Sequence, residues 1–318
     1  MNGGKPIRGW LRLFPVVMVL LTLAACSGFR YGVYDRVMDA ERRSAGLEPA
    51  MLRVGDIEIA FLEGSGRGER PTLVLVHGLG ASKEVWLRFS RQLKDDYHII
   101  AIDLPGHGDS SKIMDKDYGR SSQVSYLRAV LAEMAVDSPH LAGNSMGGAI
   151  ITLYAAYYPD ETASITLFNP AGVYDHESKL MKRLARGENP LIVKERRDFG
   201  RLLDFSMEKK PFIPWPITRV MAEKAVSNRP INEKIFSDAR RDAADSFEEV
   251  LTATRVPALI VWGRYDRLIH WENGRVFDAL IPDSRLVILD DVGHAPMVEV
   301  PEASAALMAD FVRSIISP

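Results

Sequence analysis

The chain has 318 residues, 47% of them apolar and 26% charged, which suits one large buried core and is too evenly mixed for a disordered polymer or a bundle of membrane helices. A net charge of −2 and a pI near 6.4 leave no broad basic face for neutralising phosphates, so nucleic acid is not expected as a partner. The single cysteine, Cys26, excludes a disulfide framework and any CxxC metal or redox site, and no metal or cofactor is expected.

In chain order, residues 1–26 come first: Lys5, Arg8 and Arg12 precede or flank LFPVVMVLLTLA, and the run closes on LAAC, Leu23 to Cys26. A basic start, a short apolar stretch and small residues before a junction describe an export signal. The LAAC end also resembles the lipobox of bacterial lipoproteins, which implies Cys26 as the acylated first residue of a mature chain. The other reading is an uncleaved anchor. Between Arg12 and Arg30 lie 17 uncharged residues, about 25 Å of helix against a hydrocarbon core of about 30 Å. Both readings keep the basic end cytoplasmic and attach the rest of the chain to the membrane on its exported, periplasmic side. Residues 27–50 mix aromatics with Arg and Asp and read as a juxtamembrane connector, with a helix as the alternative.

From Met51 the pattern is strand and helix in alternation. MLRV and IEIAFLE read as strands, GSGRGER as a polar turn, and TLVLV (72–76) as a buried strand. The glycines of GSGRGER are followed by a strand where a phosphate-binding loop needs a helix, so they carry no nucleotide site. Next, SKEVWLRFSRQL predicts a helix with Ser82 as its cap and Trp86, Phe89 and Leu93 on one face. YHIIAID (97–103) is the next strand, and Val124, Leu127, Leu131 and Met134 mark the following helix. Strands recur at PHLAGN, PALIVWG (257–263) and RLVILDD (285–291), before a last helix striped by Leu307, Met308, Phe311, Val312 and Ile315. Short apolar strands separated by helices predict an α/β architecture, a mostly parallel sheet covered on both faces. Residues 172–250 break the rhythm with helical pieces and the proline-rich PFIPWPI, so the core is expected over 51–171 and 251–318 with a helical cap inserted between.

Within LAGNSMGGAI (141–150), Ser145 stands between Gly143 and Gly147 where a strand turns into the helix MGGAIITLYAAYY. A hydroxyl becomes a useful nucleophile only if it projects from the backbone towards a base. A sharp strand-to-helix turn achieves this, and only very small residues fit two positions before and after the serine. The helix then points its free N–H groups, Met146 first, at the space above Ser145, where an oxyanion is stabilised. The acid and the histidine that complete such a site belong later in the chain, at the C-terminal ends of strands. Asp266 in WGRYD and His294 in DVGHAP occupy those places.

VHGLG with His77 and Gly78, DLPGHGDS from Asp103, GNSMGG around Ser145, the GRYD turn and the GHAP turn, in that order over roughly residues 50–318, resemble the α/β-hydrolase-fold serine hydrolases, and within them bacterial membrane-associated lipases, esterases and phospholipases. The resemblance implies carboxylic-ester hydrolysis of lipidic substrates through an acyl-enzyme, with Leu79 N–H as the second oxyanion donor and a membrane surface as partner. Carbon–carbon bond hydrolases of ring-cleavage products share GNSMGGA and remain an alternative, as does a silent binding protein of the same fold.

Other candidates have plainer readings. His77 supports its loop; His107 belongs to the DLPGHGDS turn near the pocket rim; His270, four residues after Asp266, lies at the surface; Asp103 anchors a turn; Asp290 and Asp291 sit on the histidine's own loop. Residues 172–220 carry eleven Lys or Arg against seven Asp or Glu, net +4, which reads either as solvated helices or as a basic face with Phe212, Ile213, Trp215 and Ile217 turned to acyl chains.

Overall fold

The computed structural model describes residues 10–241 and 246–316, with side chains from residue 27 onward; the side chain of Cys26, the acylation candidate, lies outside the described residues, as do residues 1–9. Helix α1 runs unbroken over Trp10–Ser44 and is followed by strands β1 (Leu47–Val54), β2 (Ile57–Gly64) and β3 (Thr72–Val76). Then come α2 (Leu87–Ser90), β4 (His98–Ile102), α3 (Arg120–Glu133), β5 (His140–Asn144), α4 (Met146–Tyr157) and β6 (Ser164–Phe168). Between β6 and β7, five helices lie among the described residues: α5 (Lys179–Leu184), α6 (Arg196–Ser206), α7 (Ile217–Ser227), α8 (Arg229–Arg241) and α9 (Phe247–Ala253), spanning the segment expected as an insertion. The core resumes with β7 (Ala258–Gly263), α10 (Asn273–Leu280), β8 (Ser284–Leu289), α11 (Pro296–Glu299) and α12 (Pro301–Ile316).

The sheet has eight strands in the order β1-β2-β4-β3-β5-β6-β7-β8. The pairs β1·β2 and β2·β4 at one edge are antiparallel and the pairs from β4 to β8 are parallel. Alternation along each strand feeds two cores: Val74 and Val76 pack on one face with Ile100, Ile150 and Ile260, while Leu73 and Leu75 pack on the other with Trp86, Phe89 and Met308. The strand order reverses around β3, whose neighbours are β4 and β5. A crevice opens beyond the carboxyl ends of the strands at such a reversal.

Three local expectations are corrected. Residues 27–44 are helix rather than connector, because α1 has a packed face: Val33, Tyr34 and Met38 cluster with Ile213, Ile217, Val220 and Met221 of the insertion. The Lys224 ammonium sits 4.5 Å from the Tyr34 ring centre, and Arg30 pairs with Glu223 at 3.6 Å. Ile217 is therefore buried rather than turned outward. The helix expected over 82–93 is split into a 3₁₀ turn, Lys83–Trp86, and the short α2, and the Ser82 side chain caps nothing. The buried Asp103 carboxylate captures the Lys83 N–H at 2.6 Å, along with its ammonium at 2.6 Å. No helix among the described residues is long and apolar enough to cross a membrane.

Candidate active site

Ser145 adopts φ 55° and ψ −119° between the last residue of β5 and the first of α4. A left-handed backbone at a residue with a side chain costs about 1–3 kcal/mol and persists only where the surroundings over-determine it. Here they do. A Cβ on Gly143 would lie 2.6 Å from Gly147 O, and one on Gly147 would lie 2.3 Å from Val76 O and 2.5 Å from His77 O. The turn is held by Ser145 N–H donating to Phe168 O (3.1 Å) and by Ala149 and Ala171 N–H donating to Ser145 O (3.1 and 3.0 Å). The tight approach of α4 to the end of β3 places the serine over the loop that carries Leu79.

Asp266 follows β7 and His294 follows β8, and the two meet: His294 Nδ1 is 2.8 Å from Asp266 Oδ2. Both are buried. Oδ2 also accepts Asn169 Nδ2 at 2.7 Å, and Oδ1 accepts Leu268 N–H (2.7 Å) and Ile269 N–H (3.1 Å). All of these partners are donors, which is the environment of an ionised, acceptor-only carboxylate. The proton of the neutral imidazole is thereby held on Nδ1. Its Nε2 is left as an acceptor, buried and without a hydrogen-bond partner.

His294 and Ser145 line one cavity of about 510 Å³. Its floor also includes Leu79; its walls include Leu202 and Leu203 of α6, Met221 and Ala225 of α7, Met297 and Val298, and Tyr34 of α1. The N–H of Met146 is the first of α4 and has no intrahelical acceptor. Neither it nor the Leu79 N–H donates to another group among the described residues. The Ser145 hydroxyl does not hydrogen-bond Nε2 in this state. Such contacts are often long in the absence of substrate and tighten on binding.

Three positioning residues were not among the sequence candidates, although Asn144 lies within GNSMGG. Asn144 donates to Phe168 O (2.9 Å) and His294 O (3.0 Å), tying the elbow to the histidine loop. Asn169, besides its bond to Asp266, donates to Gly293 O (3.2 Å). Glu299, buried, accepts from Gly293, Glu208 and Lys209 N–H through Oε2 (2.9, 2.8 and 2.9 Å) and from Ala295 N–H through Oε1 (3.1 Å). With His294 N–H donating to Ser206 O at 2.8 Å, this fastens the exit of α6 to the histidine loop. For Asn169 the one signal in the sequence is a polar residue directly after the apolar strand β6.

The remaining histidines and acids are accounted for. His77 donates from Nδ1 to Gly78 O (2.7 Å) and accepts Leu104 N–H at Nε2 (3.1 Å), so both ring nitrogens are committed to the loop. Burial pushes its pKa down, against the pull of Asp103. His107 stacks edge-on to His77, 4.9 Å between centres, and burial drives its pKa well below the usual range. It is buried behind the rim rather than on it, which Gly108 and Asp109 form. Burial opposes the charge of Lys83, but Asp103 and Asp109 outweigh it and raise its pKa. Asp290 is exposed and pairs with Arg264, and neither it nor Asp291 bonds His294.

Comparison with known proteins completes the picture. The family model described as alpha/beta hydrolase fold matches residues 71–301. The chain belongs to the α/β-hydrolase family. It is 33% identical over 308 residues to Lipase 1 of Psychrobacter immobilis, covering 96% of each chain. It is 32% identical over 301 residues to Lipase 3 of Moraxella sp. (strain TA144), covering 93% of this chain and 94% of the other. A solved structure titled a membrane phospholipase A, a novel bacterial virulence factor, superposes with a TM-score of 0.89 at 38% identity, over 96% of this chain and all of that one. These relationships place this α/β hydrolase among the carboxylic ester hydrolases.

Proposed function

We propose that this hydrolase cleaves acyl esters of lipids, acylglycerols, lysophospholipids or phospholipids, through an acyl-enzyme on Ser145. The observation that carries the reading is the His294 imidazole, whose Nδ1 is fixed by Asp266 while Nε2 stands unpartnered over the cavity shared with Ser145. Nε2 takes the Ser145 proton as Oγ attacks the ester carbonyl, and Asp266 stabilises the imidazolium. The Leu79 and Met146 N–H groups receive the oxyanion, a contribution on the order of a hundred- to a thousandfold per donor. The imidazolium then protonates the departing alkoxide, and water, deprotonated at the same Nε2, releases the acid.

A lipidic acyl group suits walls built of leucine, methionine and alanine, and the relatives named lipase and phospholipase support the same class. Attachment to the exported face of a membrane, through the apolar start of α1 or an acylated Cys26, would bring the cavity to such substrates at high local concentration. Phe212 and Trp215, 84% and 71% exposed, are the groups suited to an acyl-chain surface. The basic residues of the cap suit it less, because Lys182, Arg201, Arg219 and Lys210 are each paired with an acid.

The test is labelling of the detergent-purified protein by a fluorophosphonate probe together with turnover of mixed lipid extracts followed by mass spectrometry. Wild type labels and releases fatty acid; Ser145→Ala does neither. Aryl-ester turnover surviving in purified Ser145→Ala would refute the nucleophile, and labelling without release of fatty acid would refute the lipid substrate.

A further inference from the structure

We propose that His176, His270 and Glu272 form a surface site for a divalent transition-metal ion of the zinc class. His176 lies early in the insertion, while His270 and Glu272 lie between Asp266 and α10. The two Nδ1 atoms each stand 3.5 Å from the same Glu272 Oε2, and one ligand atom from each residue falls within 4.8 Å of the others. Around a tetrahedral ion with bonds of about 2.0–2.1 Å, neighbouring donors are separated by about 3.4 Å. Two of the three edges of the cluster already have that length.

The frame beneath the cluster is rigid. Asn273, fully buried at the start of α10, accepts His176 N–H through Oδ1 at 3.0 Å and donates through Nδ2 to His270 O (3.1 Å) and His176 O (3.4 Å). One amide side chain thus ties the loop of His270 to that of His176, 97 residues before Asn273 in sequence. The imidazoles lie roughly parallel, 5.7 Å between centres. Within the cluster only one further polar contact reaches a ligand nitrogen: Glu272 N–H approaches His270 Nδ1 at 3.4 Å, a long interaction that a metal bond would replace.

Two imidazoles and one carboxylate favour zinc, copper or nickel over calcium and magnesium, which want more oxygen ligands. All three side chains are about a third or more exposed, so the ion enters from solvent and keeps water in its open positions. Arg275 and Glu248 share the adjoining cavity and offset one another in charge, and the Arg275 guanidinium is drawn over the Trp271 ring at 5.4 Å. None of the three ligands lines the cavity of Ser145. The ion would act as a clasp between the entry of the insertion and the loop that carries Asp266, independently of the ester chemistry.

The experiment uses untagged full-length protein, stripped with chelator and titrated with zinc chloride by calorimetry, with thermal unfolding in parallel. One ion per chain binds, and saturation raises Tm by about 5 °C, as follows when a ligand present at a hundred times its Kd binds only the folded state. His176→Ala/His270→Ala loses both the ion and the shift, while its aryl-ester turnover without metal matches wild type. Glu272→Gln, which keeps the shape of the loop, weakens binding tenfold or more and serves as the reading if the double variant fails to fold. Wild type that takes up no zinc, or a folded variant that takes up as much as wild type with the same shift, overturns the site.

Discussion

The floor and the roof of the cavity are built by different physics. The floor is backbone against backbone: Gly143 and Gly147 leave no room for a Cβ, and Ser145 is held at φ 55° by three main-chain hydrogen bonds. The roof is side chain against side chain, with Leu202, Leu203, Met221 and Tyr34 supplied by α6, α7 and α1. A steric prohibition admits one residue type and so writes itself into the sequence. An apolar wall admits many, provided volume is kept, and so leaves no signature.

The sharpest break of the floor is Asp266→Asn. The asparagine can donate to Nδ1 and so favours the wrong imidazole tautomer, and kcat on a soluble ester is expected to fall on the order of 10⁴-fold with little change in Tm. Acid tests the floor as a whole. His140, buried on β5 beside Ser164, has its pKa pushed down to about 4 by burial. The unfolded chain takes its proton near pH 6.5 while the folded one refuses it until about 4, so stability is present above that window and is lost as pH falls through it. The loss approaches about 3 kcal/mol. Unfolding midpoints measured from pH 7 to 4 should decline steeply for wild type and less so for His140→Gln.

Glu299→Gln loosens the joint between floor and roof. Its amide oxygen can keep the three N–H groups of Gly293, Glu208 and Lys209, but its NH2 then faces the Ala295 N–H, leaving that donor unmatched at a cost of about 1–3 kcal/mol. Unfolding should shift down by a few degrees and kcat should drop with KM for a short ester unchanged; a lowered Tm with intact kcat would reduce Glu299 to a structural residue. The smallest effect is expected at the outer roof. Phe212→Ser/Trp215→Ser should slow hydrolysis of lipid vesicles severalfold and leave a soluble aryl ester untouched, and equal rates on vesicles would remove the cap aromatics from lipid binding.

The same contrast explains what could be read in advance. β3 is found at Thr72–Val76, where a continuous β-branched and leucine run allowed only a buried strand, and β4 and β7 fall within a residue of their expected bounds. The helix over 27–44 stands in the sequence only as the alternative to a connector, because its apolar positions acquire meaning only against α7. Ile217 looked like part of an exposed aromatic knot for the same reason. Asn169 and Glu299 escaped notice because a lone amide or carboxylate has no periodicity; their work is to accept or donate across chain separations of 97 and 91 residues.

Tyr34 gives α1 a second significance. A helix that begins at Trp10 and ends at Ser44 carries one of its own rings into the boundary of the reaction chamber. Tilting or withdrawing that rod would alter the chamber directly, without any signal crossing the sheet. Proteolytic removal of the chain up to Ser44 would therefore breach the vessel in which the enzyme works.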